Sequence, residues 1–154
     1  MSRDGGLTWS DPVRVNQTPQ TPSVAKLRSQ AFIPAVEVAS DGTVVVTYYD
    51  FRNDNDQDNG VEATDAWAIL CRASVSDCTK RASWQNEIRL TERSFNFLDA
   101  PLTTQGYMVG DYTGLTRAGD AVVAAIGIAD GKGQSSIYSR KIVIGSAPVV
   151  ASTQ

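Results

Sequence analysis

The chain has 154 residues, 42% of them apolar and 20% charged, which is enough to bury one core, and its net charge of −3 comes from interspersed acids and bases. That balance offers no basic face for nucleic acid or for an anionic membrane, and no apolar run approaches the roughly 18 residues of a membrane-crossing helix. Histidine is absent, which removes histidine-ligated zinc and every histidine-dependent triad and leaves acid–base chemistry to carboxylates, tyrosine or lysine.

The chain opens on Ser2-Arg3-Asp4-Gly5-Gly6-Leu7-Thr8-Trp9, a glycine-rich turn, followed by a short strand pattern ending at Val13-Arg14-Val15-Asn16. Trp9 recurs 75 residues later as Trp84, and the same offset carries Val13 to Asn16 onto Ile88-Arg89-Leu90-Thr91, Gln30 onto Gln105 and Phe32 onto Tyr107. Within one period four short β-runs are predicted. The first runs from Phe32 to Val38 and ends at the hairpin signal Ser40-Asp41-Gly42; the second, Thr43 to Tyr49, is rich in β-branched and aromatic residues. A polar stretch from Asn53 to Thr64 precedes the third, Asp65 to Val75, and the fourth runs from Trp84 to Thr91. A second unit is expected from Tyr107 to Leu115, Asp120 to Ala129 and Ser136 to Ile144. There the register slips by two, Val44-Val45-Val46 matching Ala121-Val122-Val123, which predicts a small insertion in the turn from Arg117 to Asp120.

Four-stranded antiparallel units of this kind are the blades of β-propellers, in which typically 4 to 8 surround a channel. The expected organisation is all-β, a propeller fragment with one complete blade and two partial ones. Residues 1–16 supply a turn and outer strand of a preceding blade, residues 17–91 a complete blade with its leading loop, residues 92–146 three strands of the next, and residues 147–154 a tail.

The opening turn fits Ser-x-Asp-x-Gly-x-Thr-Trp through Ser2, Asp4, Gly6, Thr8 and Trp9, and resembles the Asp-box, or BNR repeat, of the sialidase (neuraminidase) superfamily. Its physics is that of a tight turn: Asp4 accepts backbone N–H groups, the glycines supply positive φ, and Trp9 covers the turn. A second copy, Ser76-Asp77-Cys78-Thr79-Lys80-Arg81-Ala82-Ser83-Trp84, keeps the Asp and the Ser-Trp but neither glycine. Tyr49-Asp50-Phe51-Arg52 and Gly110-Asp111-Tyr112-Thr113-Gly114-Leu115 also look like this superfamily. The resemblance implies a six-bladed, sialidase-like glycoside hydrolase of exo-α-sialidase type, with the boxes joining third and fourth strands on the side opposite the active site. Where the family's Phe/Tyr-Arg-Ile-Pro motif places an arginine for the substrate carboxylate, this chain has Phe32 in Ala31-Phe32-Ile33-Pro34. The chain alone is therefore expected to be inactive; the alternative is a non-catalytic Asp-box propeller module that binds glycan or protein.

In such a propeller the loops Asn16 to Ala31, Asp50 to Thr64 and Thr91 to Gly106 share the functional face. They carry Arg28, Arg52 and Arg93, candidates for binding the carboxylate of a sialylated glycan or another carbohydrate, or else solvated arginines and partners for Asp50. Retaining sialidases use a tyrosine nucleophile with a carboxylate partner, so Arg52, Asp111 and Tyr112, the last two in a predicted innermost strand, are the catalytic candidates. A core tyrosine and a satisfied strand-end aspartate are the alternative.

Asp54, Asp56, Asp58 and Glu62 alternate through a loop with a glycine, the pattern of hard oxygen ligands around Ca²⁺, or of a solvated acidic loop; no other cofactor is required. Cys71 and Cys78 flank a turn and suit a stapling disulfide in an exported protein, or else two buried thiols. A secreted, extracellular or periplasmic location is expected, with the remaining blades of the propeller as partners, although residues 1–6 lack the apolar core of a signal peptide.

Overall fold

A computed structural model describes residues 1–20, 27–55 and 60–144. The protein is all-β, with antiparallel sheets none of which closes on itself, and no α-helix among the described residues. Four strands, β1 (Ala31–Val38), β2 (Thr43–Asp50), β3 (Ala63–Arg72) and β4 (Gln85–Arg89), form a meander in that spatial order. The β1–β2 turn holds because Asp41 Oδ1 accepts the Thr43 N–H at 2.9 Å and Gly42 takes φ +83°. Register breaks in β1 between Phe32 and Ala35, where Ile33 sits at φ +47° and Pro34 has no N–H for a ladder; β1 is an edge strand, which tolerates both.

A short strand β5 (Phe95–Asn96) pairs with the start of β3, and β6 (Leu102–Thr103) with β7 (Gly106–Tyr107) makes a small separate hairpin. The second meander is β8 (Gly114–Ala118), β9 (Ala121–Gly131) and β10 (Gln134–Val143), with β9 central. The two meanders pack through one apolar layer. Val45 and Tyr49 of β2 and Ala66, Ala68 and Leu70 of β3 meet Val122, Ala124 and Ile126 of β9 and Ile142 of β10. Tyr49 crosses this layer and donates its hydroxyl to the Gly127 carbonyl at 2.9 Å. Its ring meets Phe32 in a stacked contact and Phe95 edge-on.

A second apolar layer lies on the other face of the first sheet. It contains Tyr48, Ile69, Cys71, Cys78 and Trp84, with Val15 packed against it. Alternation along β2 explains the split, since Tyr48 and Tyr49 point to opposite faces. Cys71 and Cys78 are disulfide-bonded, with Cα atoms 5.9 Å apart, and the bond ties the end of β3 to the turn before β4.

Three details differ from the sequence reading. Residues 1–20 form no strand, and no strand among the described residues pairs with them. They dock through other contacts instead: the Gln17 N–H donates to Tyr48 Oη at 3.1 Å, the Thr18 hydroxyl to Asp50 at 2.7 Å, and Arg81 to the Arg14 carbonyl at 3.1 Å. The run expected from Tyr107 to Leu115 is divided, with Tyr107 in β7 and β8 starting only at Gly114; between them Gly110 takes φ +129°. No insertion widens the β8–β9 turn, which is Gly119 and Asp120 alone, between paired Ala118 and Ala121. The additional chain lies upstream, in the connection that carries β5, β6 and β7.

Gly127 admits no side chain. A Cβ built there lies 2.4 Å from the Val109 carbonyl oxygen, which is backbone and has no rotamer to escape through. Gly127→Ala is expected to force the sheets apart locally and cost about 1–3 kcal/mol, read as a lower urea midpoint. An unchanged midpoint contradicts this packing.

Candidate functional site

The chemistry concentrates where β2 ends and β3 begins. Asp50 closes β2 fully buried, and Arg52 follows it two residues later with a side chain only 14% exposed. The Arg52 guanidinium donates through Nε to Asp50 at 2.6 Å, through Nη1 to Glu87 of β4 at 2.5 Å and through Nη2 to Tyr48 Oη at 3.0 Å, and stacks 4.0 Å over the Trp67 ring. Tyr48 in turn donates its hydroxyl to Glu87. Burial works against the arginine's charge, but its hydrogen bonds to Glu87 and the charge of Asp50 outweigh it and hold the guanidinium above its ordinary value. Burial and the Glu87 carboxylate push the Tyr48 phenol well up. Trp67 Nε1 and the Thr18 hydroxyl complete the shell of Asp50, both within 2.8 Å.

A second buried carboxylate, Asp65, lies one turn of chain away at the start of β3. Arg89 donates to its Oδ1 at 2.7 Å and 2.9 Å, Thr91 at 2.6 Å, and Asn53 and Ser94 to its Oδ2 at 2.8 Å and 2.9 Å. Burial pushes this carboxyl up, and the bonds from Thr91, Asn53, Arg89 and Ser94 more than reverse it, leaving the group below the usual carboxylate range.

Beside this network a cleft of about 760 Å³ opens between the connection Leu90 to Phe95 and the β9–β10 face. Arg93, Asp99, Asp130, Tyr138 and Arg140 line it, over a floor containing Ile126 and Ile128. Arg140 is engaged with the Leu90 carbonyl at 2.7 Å and Glu92 at 2.8 Å. Arg93 is exposed and makes no hydrogen bond or ion pair among the described residues.

The three arginines singled out from sequence thus have different surroundings. Arg52 is enclosed by its own partners, Arg28 follows the first residue of a short 3-10 turn and donates to the Arg52 carbonyl at 3.4 Å, and Arg93 faces the cleft. Asp111 and Tyr112 lie in coil before β8 rather than in an innermost strand, because that strand begins only at Gly114. Tyr112 is 92% exposed, and neither residue lines the cleft. Of the acidic loop, Asp54 accepts the Ala63 N–H at 2.8 Å, and burial with the charge of Asp54 raises the Glu62 carboxyl. Asp56 and Asp58 lie outside the described residues, among which no group of three or more metal-ligating side chains forms. Sequence reasoning missed Glu87, Asp65, Asp130, Tyr138 and Arg140. Asp65 had a local signal, a lone carboxylate in an apolar run; the cleft residues had none, since they converge from two units.

The turn from Ser2 to Trp9 forms a closed set of bonds. Asp4 accepts the Thr8 N–H at 3.0 Å and the Thr8 hydroxyl at 2.6 Å, Ser2 donates to Asp4 at 2.8 Å and accepts from Gly6, and Trp9 Nε1 donates to the Gly6 carbonyl at 3.1 Å. Gly5 and Gly6 both take positive φ. In the second copy Asp77 accepts from Thr79 through backbone and hydroxyl, and Trp84 Nε1 donates to the Cys78 carbonyl at 3.0 Å. This copy joins β3 to β4, at the end of the sheet opposite Asp50 and Asp65. No family model, curated protein or solved structure matches the chain.

Two outcomes test these assignments. Arg52→Ala leaves the Asp50 and Glu87 carboxylates buried without a cation and is expected to cost about 3 kcal/mol in unfolding free energy, with denaturant titration as the measurement. A variant as stable as the parent shows that Arg52 holds nothing together. The Asp4 carboxyl, lowered to about 2 by the Thr8 and Ser2 bonds, is expected to titrate there by NMR together with the Thr8 amide. Because the folded value is depressed, the turn's bonds are complete above the ordinary carboxylate range and are lost as pH falls through about 2. Titration near 4 removes the box from Asp4's surroundings.

Proposed function

We propose that the chain is a sector of a sialidase-like Asp-box β-propeller in which each meander is a blade, and that its cleft binds an anionic carbohydrate without hydrolysing it. The observation that carries this reading is Arg93, a guanidinium without a protein partner among the described residues, in a cleft with Tyr138 and the carboxylates of Asp99 and Asp130. A free guanidinium pairs with a sugar carboxylate through two parallel hydrogen bonds, a tyrosine ring covers the apolar face of a pyranose, and carboxylates accept its hydroxyls. The Ser2–Trp9 turn, in which Asp4 bonds Thr8 and Trp9 bonds the Gly6 carbonyl, supports the family, and the disulfide supports an exported protein.

The catalytic half of the family pattern lacks its parts in this chain by itself. Phe32 stands in for the carboxylate-binding arginine and is enclosed by Tyr49, Phe51 and Phe97. Tyr112 is exposed, away from the cleft. Tyr48, Glu87 and Arg52 are the residue types of a sialidase nucleophile site, yet Tyr48 is buried and its raised pKa opposes the phenolate that attack would require. The reading requires no cofactor and no Ca²⁺.

Calorimetric titration with sialyllactose and with lactose tests it. Sialyllactose is expected to bind, Arg93→Ala to weaken it by roughly tenfold or more, and lactose to be indifferent to that change. No fluorescent leaving group should appear from an α-sialoside. Equal binding of both sugars, or binding unaffected by Arg93→Ala, removes the carboxylate from the interaction.

A further inference from the structure

The cleft has a direction. Along β10 the side chains of Arg140 and Tyr138 stand on one face, two residues apart, and along β9 those of Ile126, Ile128 and Asp130 do the same. Tyr138 pairs with Ile126 and Arg140 with Ala124, so both rows belong to one face of the sheet, and all five residues line the cleft. From the Arg140 end the order is cation, aromatic ring, aliphatic floor, carboxylate. Asp130 lies six residues beyond Ala124, about 20 Å at the rise of a strand. The opposite wall runs the same way and is pinned at both ends. Arg140 donates to the Leu90 carbonyl at 2.7 Å, and the Gly133 N–H at the tip of the β9–β10 hairpin donates to the Asp99 carbonyl at 2.8 Å. Arg93 lies on this wall between Leu90 and Phe95, and Phe95 meets the tyrosine that is bonded to Gly127, so Arg93 belongs to the Arg140 half. Asp99 and Asp130 make the other end.

We propose that the cleft takes an oligosaccharide lengthwise, with a single acidic sugar at the Arg93 end and neutral units extending toward Asp99 and Asp130, and that these two carboxylates exclude ligands carrying negative charge along their whole length. Length, direction and a charge limit are thereby added to the carbohydrate reading above, on which all three rest. A single pyranose covers only about two residue steps of a strand, ~7 Å, and does not reach from the arginine to the carboxylates, whereas about three units do. The Tyr138 ring, 45% exposed, lies between the two ends and offers a stacking face to a middle unit. At the cationic end Arg140 is offset by Glu92, which leaves one uncompensated guanidinium, that of Arg93, and so a place for one carboxylate. At the far end the side chains of Asp99 and Asp130 make no hydrogen bond or ion pair among the described residues, so their oxygens are left to a ligand. Lys132 follows in the hairpin tip but does not line the cleft. An ionised carboxylate accepts the hydroxyls of a neutral sugar and repels a second carboxylate.

Calorimetric titration of the full chain with three ligands tests it: an α-methyl sialoside of one unit, sialyllactose with three units and one carboxylate, and trisialic acid with three units and a carboxylate on each. Sialyllactose is expected to bind roughly tenfold tighter than the methyl sialoside, and trisialic acid no tighter than the methyl sialoside. Asp99→Asn combined with Asp130→Asn should raise the affinity for trisialic acid relative to that for the methyl sialoside roughly tenfold, with the urea midpoint showing that the variant folds. Asp130 is exposed, so Asp130→Asn alone keeps the fold and should give part of the same gain. A methyl sialoside bound as tightly as sialyllactose overturns the lengthwise fit. Trisialic acid bound as tightly as sialyllactose by the parent, or unchanged in relative affinity by the substitutions, overturns the charge limit. Absence of binding by all three ligands, or binding indifferent to Arg93→Ala, overturns the carbohydrate reading itself and the lengthwise fit with it.

Discussion

The contact between Tyr49 and Gly127 sets how the two sheets meet, and the cleft is a consequence of that meeting. Gly127 gives its own carbonyl to the Tyr49 hydroxyl and is pressed by the Val109 carbonyl, which leaves no room for a Cβ, so β9 is located by two backbone contacts at one residue. Ile126 and Ile128, its neighbours in sequence, then form part of the cleft floor. Close packing leaves little freedom for a small error: a methyl group at Gly127 moves the floor relative to Arg93 and Thr91, which the first sheet positions.

The first sheet positions them through two buried carboxylates rather than through apolar contact alone. Asp50 binds Arg52 and Thr18, joining β2 to the N-terminal segment, and Glu87 extends the same cluster to β4. Asp65 gathers Arg89, Thr91, Ser94 and Asn53 from three stretches of chain. Each carboxylate is saturated, so removing one donor leaves an uncompensated charge in a low-dielectric setting, whereas the assembled network fixes one arrangement of loops. Of the two arginines lining the cleft, Arg140 is bonded to Leu90 and Glu92, and Arg93 makes no hydrogen bond or ion pair among the described residues.

Strands with strong local chemistry were legible in the sequence. Thr43 to Tyr49 is β-branched or aromatic throughout and follows the Asp41-Gly42 turn, and its boundaries differ from β2 only at Asp50. That Asp4 accepts a backbone N–H in a glycine turn was legible, since its partner Thr8 lies four residues away; its bonds to the Thr8 and Ser2 hydroxyls were not foreseen. Tyr107 to Leu115 was misjudged because its apolar spacing suits a strand while Gly110 takes a φ that breaks one. Residues 10–16 have strand sequence without a strand, because a ladder is a property of two segments and only one is beside the other here. Asp111 and Tyr112 were placed by a local motif, whereas Asp130, Tyr138 and Arg140 depend on which surfaces of two meanders face each other. No short-range pattern encodes that.

The three tryptophans have separate optical surroundings. Trp9 caps the first box in contact with water, Trp67 lies under a guanidinium, and Trp84 is enclosed beside the disulfide. A soluble quencher reaches the first, a cation perturbs the excited state of the second, and a neighbouring disulfide drains emission from the third. Intrinsic fluorescence of the folded chain is therefore dominated by Trp9, and opening of the turn before β4 is seen as light gained when Trp84 leaves its sulfur neighbour.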